Sequence, residues 1–214
     1  MTGSFISAGT RERVRGLATP IAIALGRLGL TPNALTLIGF AGMCVAAYAA
    51  ANRKWAIAGV LILAFGIFDL FDGALARATG RTSRFGAFLD STFDRAGEAI
   101  VYIGVGVGAL AKDFAGGAIL AATAMASSFM VSYTRAKAES LGFTPGTGMA
   151  NIGLAPREVR LVILAVGLMF AGVDSGDRAI NLWELAAPLI LITLLAIFTV
   201  VQRVLHVRSQ AKEG

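Results

Sequence analysis

Four aspartates between two apolar segments place the strongest constraint on the fold of this chain. Asp69 and Asp72 end one apolar segment, and Asp90 and Asp94 begin the next. Spacings of three and four residues put each pair on one face of a helix. The intervening stretch T-G-R-T-S at 79–83 is typical of a turn. The sequence therefore predicts two antiparallel helices whose acidic faces meet.

Composition places this hairpin in an all-α integral membrane protein. The chain is 56% hydrophobic and 15% charged, with a mean hydropathy of +0.73, whereas soluble domains carry about 25% charged residues. Carboxylates gathered at membrane depth repel one another unless cations hold them together. Because carboxylate ligands favour hard ions, the four aspartates predict a site for Mg²⁺ or Mn²⁺.

Apolar segments predict six transmembrane helices that follow an N-terminal amphipathic helix at the membrane surface. The second of them must continue through Asp69 and Asp72, because the uncharged run from Trp55 ends at Phe68 and is too short to cross a bilayer. Gly and Pro residues predict a flexible loop over 141–156. The whole chain, 1–214, is predicted as one domain, with an interfacial helix at 10–29, a bundle at 34–207, and spans near 34–51, 55–72, 90–111, 114–133, 157–173 and 182–201.

The positions of Lys and Arg predict the orientation of the bundle. Most of them lie in the N-terminal segment, the turn between the acid pairs, the flanks of the 141–156 loop and the C-terminal tail. Under the positive-inside rule, both termini and the acid cluster face the cytoplasm, and we expect a multi-pass protein of the cell membrane. The net charge of +6 suits anionic head groups and phosphorylated substrates better than nucleic acid.

The acid-bearing stretch resembles the signature of a known family. It reads D-x2-D-G-x2-A-R-x8-G-x3-D-x3-D without a gap, which is similar to the CDP-alcohol phosphotransferase family of membrane enzymes. The resemblance implies a homodimer that transfers a phosphatidyl group from CDP-diacylglycerol to an alcohol and releases CMP. It also implies two Mg²⁺ or Mn²⁺ ions bound by Asp69, Asp72, Asp90 and Asp94, with Asp90 and Asp94 catalytic and Asp94 acting as, or assisting, the general base.

The same motif carries the residues expected to hold the CDP group. Gly73 and Ala76 have almost no side chain, so a nucleotide can lie against the helix backbone, and the planar fork of Arg77 can hold a phosphate oxygen. The resemblance adds Asp69, Thr82 and the Pro32-Asn33 segment as further residues that contact the CDP group.

Basic residues near three helix ends predict the acceptor. If they converge, they form a pocket for a phosphate monoester, in an arrangement similar to the branch of the family that uses inositol phosphate. Glycerol 3-phosphate stays open as an acceptor, because Ala155-Pro156 stands where that branch has an acidic-basic start. The predicted acceptor residues are Ser132, Arg135, Lys137, Arg157, Arg160 and Arg203.

Other interpretations also remain open. Intramembrane acids occur in cation transporters, although here they cluster at one depth and no internal repeat is found. The aspartates can also form a metal-free ion-pair cluster with Arg77 and Arg95. Any of the basic residues can anchor a lipid head group instead of a substrate.

Overall fold

The computed structural model describes residues 8–111, 113–143, 152–173 and 182–213. Within these ranges the regular structure is helical and no strand is present. The helices are α1 Ala8–Arg27, α2 Pro32–Ala51, α3 Trp55–Gly66, α4 Phe68–Ala78, α5 Arg84–Leu110, α6 Ala115–Ser140, α7 Arg157–Val173 and α8 Leu182–Glu213.

The N-terminal helix packs on the helix that carries the first acid pair. Helix α1 covers most of the range predicted for the interfacial helix, 10–29. Its buried Ala18 and Ala22 join Phe71 and Leu75 of α4 in a small apolar cluster, and a Cβ at Gly26 would collide with the side chain of Leu75. This apolar cluster is separate from the larger core of the bundle, and it supports α4 from the side of α1.

The predicted second span is divided into two helices. Helix α3 ends at Gly66, and α4 begins at Phe68. Glycine has a low helix propensity, while Ile67 between the helices keeps right-handed helical dihedrals (φ −71°, ψ −20°). The second span does continue through Asp69 and Asp72 as predicted, within the stretch Trp55–Ala78, but it is interrupted at Ile67 immediately before the first acid.

Close packing of α2 against α5 sets the position of the second acid pair. A Cβ at Gly104 would collide with the carbonyl oxygen of Ala47, and one at Gly108 with that of Ala50. The helices approach closely because these two positions lack side chains. The main core continues from this contact through α3, α6, α7 and α8 around Trp55.

Among the described residues, four helical stretches are long and apolar enough to cross a membrane. Large apolar side chains such as Ile57, Phe170 and Leu194 are exposed on the bundle, as expected for a surface that faces lipid. The described part of the chain is thus all-helical, with the apolar surface of a membrane protein. The four stretches are Pro32–Ala51, Trp55–Ala78, Ala115–Ser140 and Trp183–Ala211.

The C-terminal half differs from the sequence predictions at the end of the last helix and in the loop before α7. The last helix runs to Glu213 instead of ending near Val201, so the basic tail is helical. Of the predicted flexible loop, 144–151 lie outside the described residues. The part after it is held in place, because the backbone N–H groups of Leu154 and Ala155 both donate to Oγ1 of Thr199 at 3.1 Å.

Candidate active site

Three of the four aspartates converge. Asp69 and Asp72 on α4 and Asp90 on α5 each offer a carboxylate oxygen, and these three atoms lie within 4.8 Å of one another. Asp72 is buried and the other two are half-buried. Oδ1 of Asp90 is buried without a hydrogen-bond partner. A buried, unsatisfied oxygen in an all-oxygen group fits a hard divalent cation.

A threonine of α2 fixes the buried member of this group. The Thr36 hydroxyl donates to Oδ2 of Asp72 at 2.6 Å. Residues that orient a metal-ligating carboxylate in this way tune its geometry. Sequence reasoning missed Thr36, although a hydroxyl within an otherwise apolar segment was a usable signal.

The fourth aspartate is held by arginines. Nη1 of Arg157, at the start of α7, lies 2.7 Å from Oδ1 of Asp94 and 3.3 Å from Oδ2 of Asp69. Nη1 of Arg95 lies 3.2 Å from the other oxygen of Asp94. The sequence predicted all four acids as metal ligands. The structure brings Asp69, Asp72 and Asp90 together, and it links Asp94 to Asp69 through Arg157, so the ligand role of Asp94 stays a prediction.

A second acid–arginine pair lies one helical turn deeper. Arg160 donates from Nε and Nη2 to the two oxygens of Glu98, each at 2.8 Å, and from Nη1 to the carbonyl of Ala155 at 2.7 Å. The side chains of Arg160 and Glu98 are 1% and 5% exposed. Glu98 was missed by sequence reasoning, and Arg160, predicted to bind the acceptor, is used here to join α5 to α7.

Part of the predicted acceptor pocket assembles beside these pairs. Arg203 of α8 donates to the carbonyl of Val131 and, at 3.0 Å, to that of Ile152. The positive charges of Arg135, Arg160 and Arg95 act on its guanidinium, so basic residues of α5, α6, α7 and α8 lie on the same side of the bundle. Ser132 accepts a hydrogen bond from Nε of Arg95 at 3.2 Å.

Two predicted acceptor residues lie further out. Arg135 pairs with Glu139 at 2.9 Å, and both side chains are more than two-fifths exposed. Lys137 is exposed on the same helix. Their roles toward an acceptor stay predictions.

The predicted nucleotide contacts lie on the turn side of the acids. Arg77 is exposed and folds over Gly73, where a Cβ would lie 3.2 Å from Nη1 of Arg77. A Cβ at Gly86 would lie 3.3 Å from Oδ1 of Asn33, so the starts of α2 and α5 are adjacent here. Pro32 and Ala76 are half-buried and Thr82 is exposed. Their contact with a nucleotide stays a prediction.

A pocket opens between α2, α3, α4, α5 and α7, and it has one charged and one apolar part. The charged part contains Asp69, Asp72, Asp94 and Arg157. The apolar part is lined by Leu35, Gly39, Phe40, Met43, Phe65, Phe68 and Phe93.

Comparison with known proteins agrees with this geometry. The model of the CDP-alcohol phosphatidyltransferase family matches residues 29–206. The archaetidylinositol phosphate synthase of Pyrococcus horikoshii is 33% identical over 204 residues, covering 95% of this chain and 97% of that protein.

Two solved structures of the phosphatidylinositol phosphate synthase of Mycobacterium tuberculosis share the fold. The form with CDP-DAG bound has a TM-score of 0.75 and 32% identity, covering 89% of this chain and 92% of that one. The form in complex with manganese and citrate has a TM-score of 0.75 and 30% identity, covering 89% and 88%.

Proposed function

This chain belongs to the CDP-alcohol phosphatidyltransferase family, and we propose that it transfers a phosphatidyl group from CDP-diacylglycerol to inositol phosphate. The products are phosphatidylinositol phosphate and CMP. The observation that carries the acceptor assignment is the contact of Arg157 with Asp94 at 2.7 Å, with Arg160 one helical turn further along the same helix. Relatives named for making an inositol phosphate lipid support it.

The acidic group is proposed to hold two Mg²⁺ or Mn²⁺ ions. Asp69, Asp72 and Asp90 would be shared ligands, and Asp94 would complete the second site. When bound, such ions neutralise the diphosphate and stabilise the charge that develops on the attacking and leaving oxygens. The unpartnered Oδ1 of Asp90 supports this assignment, as does the manganese complex of the mycobacterial relative.

Asp94 is proposed to accept the proton of the attacking hydroxyl group. The acceptor hydroxyl oxygen attacks the phosphorus that carries the diacylglycerol, a new P–O bond forms, and the bond from that phosphorus to the bridging oxygen breaks. CMP leaves with the bridging oxygen, and the hydroxyl proton passes to the carboxylate of Asp94. Asp94 suits this role because its carboxylate lies beside Arg157 and Arg95, basic side chains at the place where the acceptor is proposed to bind.

The two ends of the donor are proposed to lie on different sides of the acids. Gly73, Ala76 and Arg77 would receive the CDP group, with Pro32, Asn33 and Thr82 beside them. The apolar pocket past Phe40 and Phe68 would receive the lipid. The donor can be an ether-linked or an ester-linked CDP-lipid, because one relative is named for an archaetidyl product and another has CDP-DAG bound. Both donors should be assayed.

The assembly is proposed to follow the family pattern. Helices α2, α3 with α4, α5, α6, α7 and α8 would supply six spans, and α1 would lie at the membrane surface. The distribution of Lys and Arg supports cytoplasmic termini, a cytoplasm-facing site and a place in the cell membrane. We expect a homodimer. Family membership replaces the transporter hypothesis, since the family is one of transferases.

Acceptor selectivity tests the proposal. Purified protein in detergent receives CDP-diacylglycerol, Mg²⁺ and one acceptor at a time, chosen from inositol phosphate, inositol, glycerol 3-phosphate and serine. The expected result is CMP release and a phosphatidylinositol phosphate product with inositol phosphate alone. Turnover with glycerol 3-phosphate and none with inositol phosphate would keep the reaction but overturn the acceptor.

A further inference from the structure

Arg157 bridges two acids that belong to different helices. Its Nη1 contacts Asp69 of α4 at 3.3 Å and Asp94 of α5 at 2.7 Å. The side chain is 11% exposed, and its Nε is buried without a hydrogen-bond partner. A buried guanidinium nitrogen that lacks an acceptor is costly, so this arrangement leaves Arg157 with unused capacity to bind an anion.

The neighbouring arginine on the same helix shows the contrast. Arg160 directs three nitrogens to Glu98 and the Ala155 carbonyl, whereas both ion pairs of Arg157 use Nη1. A buried pair with several fixed hydrogen bonds resists separation. A pair made through one nitrogen at the edge of a pocket can exchange partners at lower cost.

We propose that Arg157 is an exchangeable internal cation. It neutralises Asp94 and Asp69 while the second divalent ion is absent, and it moves to the acceptor phosphate when that ion binds. The inference rests on the proposed function for the identity of the acceptor. It adds an order of events: the group of Asp69, Asp72 and Asp90 accepts an ion first, and Asp94 joins after Arg157 leaves.

Electrostatics gives the physical reason for the exchange. A divalent ion and a guanidinium compete for the same two carboxylates, because like charges at contact distance repel strongly in a partly buried site. A phosphate or sulfate dianion offers the guanidinium a better partner through charge-assisted hydrogen bonds. By linkage, an anion that draws Arg157 away must raise the affinity for the ion, and the ion must raise the affinity for the anion by the same factor.

The test measures ion binding without turnover. Full-length protein in detergent, with no CDP-lipid and no acceptor, is titrated with Mn²⁺, and the free ion is followed by electron paramagnetic resonance. We expect one tighter and one weaker site. Sulfate, compared with chloride at equal ionic strength and corrected for sulfate–Mn²⁺ association, should tighten the weaker site about fivefold or more, in the usual range of coupling between sites.

Arg157→Gln sharpens the measurement. It should tighten the weaker site by about fivefold or more without sulfate, and sulfate should then have no further effect. The matched control is Arg208→Gln, which removes the same charge from an exposed position on α8 and should behave as the unaltered protein. If Arg157→Gln fails to fold, the sulfate dependence of the unaltered protein still decides the matter.

The outcomes separate this inference from the proposed function. Weaker or unchanged Mn²⁺ binding in folded Arg157→Gln, or no sulfate effect in the unaltered protein, would overturn the exchange even if inositol phosphate is turned over. Coupling between sulfate and Mn²⁺ with no turnover of inositol phosphate would support the exchange and overturn the acceptor.

Discussion

Two acid–arginine pairs, one helical turn apart, link α5 to α7, and they differ in exposure, in the number of hydrogen bonds and in their neighbours. Asp94 and Arg157 are 15% and 11% exposed and share their contacts with Asp69 and Arg95. Glu98 and Arg160 are 5% and 1% exposed and bind each other through two parallel hydrogen bonds. We call these the outer pair and the inner pair.

The types of the paired residues alone do not determine their role. Both pairs join a carboxylate of α5 to a guanidinium of α7. The inner pair is fully desolvated and saturated, as in a contact that holds two helices in register. The outer pair borders a pocket and lies beside three clustered acids, where charges can change partners during a reaction.

Removing the carboxylate of the outer pair should have the largest effect on catalysis. Asp94→Asn keeps the shape of the side chain but cannot accept the acceptor proton, so kcat should fall by about 10²–10⁴-fold. CMP release with inositol phosphate measures this effect. The melting temperature should stay near that of the unaltered protein, and a normal kcat would show that the proton goes elsewhere.

Removing the carboxylate of the inner pair should have the largest effect on stability. Glu98→Gln leaves the Arg160 charge buried and unpaired, so the free energy of unfolding should drop by about 3–5 kcal/mol. Denaturation of the purified protein in detergent checks this value. Arg135→Gln breaks an exposed ion pair with Glu139 and should cost at most about 1 kcal/mol; an equal loss in both variants would contradict the distinction.

A double variant separates the two roles open to Arg160. Replacing both partners, Glu98→Leu with Arg160→Met, removes the buried charges together and should recover most of the stability lost in Glu98→Gln. If Arg160 also binds the acceptor, as the sequence predicted, KM for inositol phosphate will stay raised in the stable double variant. A normal KM would limit Arg160 to holding α5 and α7 together.

Removing the cation of the outer pair should affect the acceptor more than the donor. Arg157→Ala should raise KM for inositol phosphate by about 10–100-fold, the equivalent of about 1.5–3 kcal/mol of charge-assisted hydrogen bonding. Steady-state kinetics with each substrate varied in turn gives both constants. Equal increases for the two substrates would point to general loss of structure.

Removing the hydroxyl of Thr36, which lies on α2, should have the smallest effect on catalysis. Thr36→Val removes the hydrogen bond to Asp72 while keeping the side-chain volume, so kcat should fall by about tenfold or less. Thr36→Ser retains the hydroxyl and should stay near the unaltered rate. A rate loss in the serine variant as large as in valine would assign the effect to packing.

Sequence patterns predicted the features that are local in the chain. The spacing of Asp69 and Asp72, and of Asp90 and Asp94, predicted two helices with acidic faces, because helix periodicity acts over a few residues. The helices exist and three of the acids converge. Family membership, predicted from the same motif, is confirmed by the match to residues 29–206.

Contacts between distant helices were not predictable in the same way. Glu98 and Arg160 are 62 residues apart, and nothing in the spacing of either residue indicates the other. Arg157 was predicted to bind the acceptor; its contact with Asp69 and Asp94 depends on where the packing of α7 on α3 and α8 places the start of α7 relative to α4 and α5. The division at Ile67 was also missed, since a single glycine inside a membrane helix is common.

The most direct test of a metal-dependent transferase is the turnover of Asp90→Asn. Oδ1 of Asp90 is buried and unpartnered beside two other carboxylates, and an amide in its place is a much weaker ligand for a hard cation. With CDP-diacylglycerol, Mg²⁺ and inositol phosphate, the folded variant should release no CMP above the protein-free rate. CMP release at the rate of the unaltered protein would contradict a catalytic metal centre at these acids.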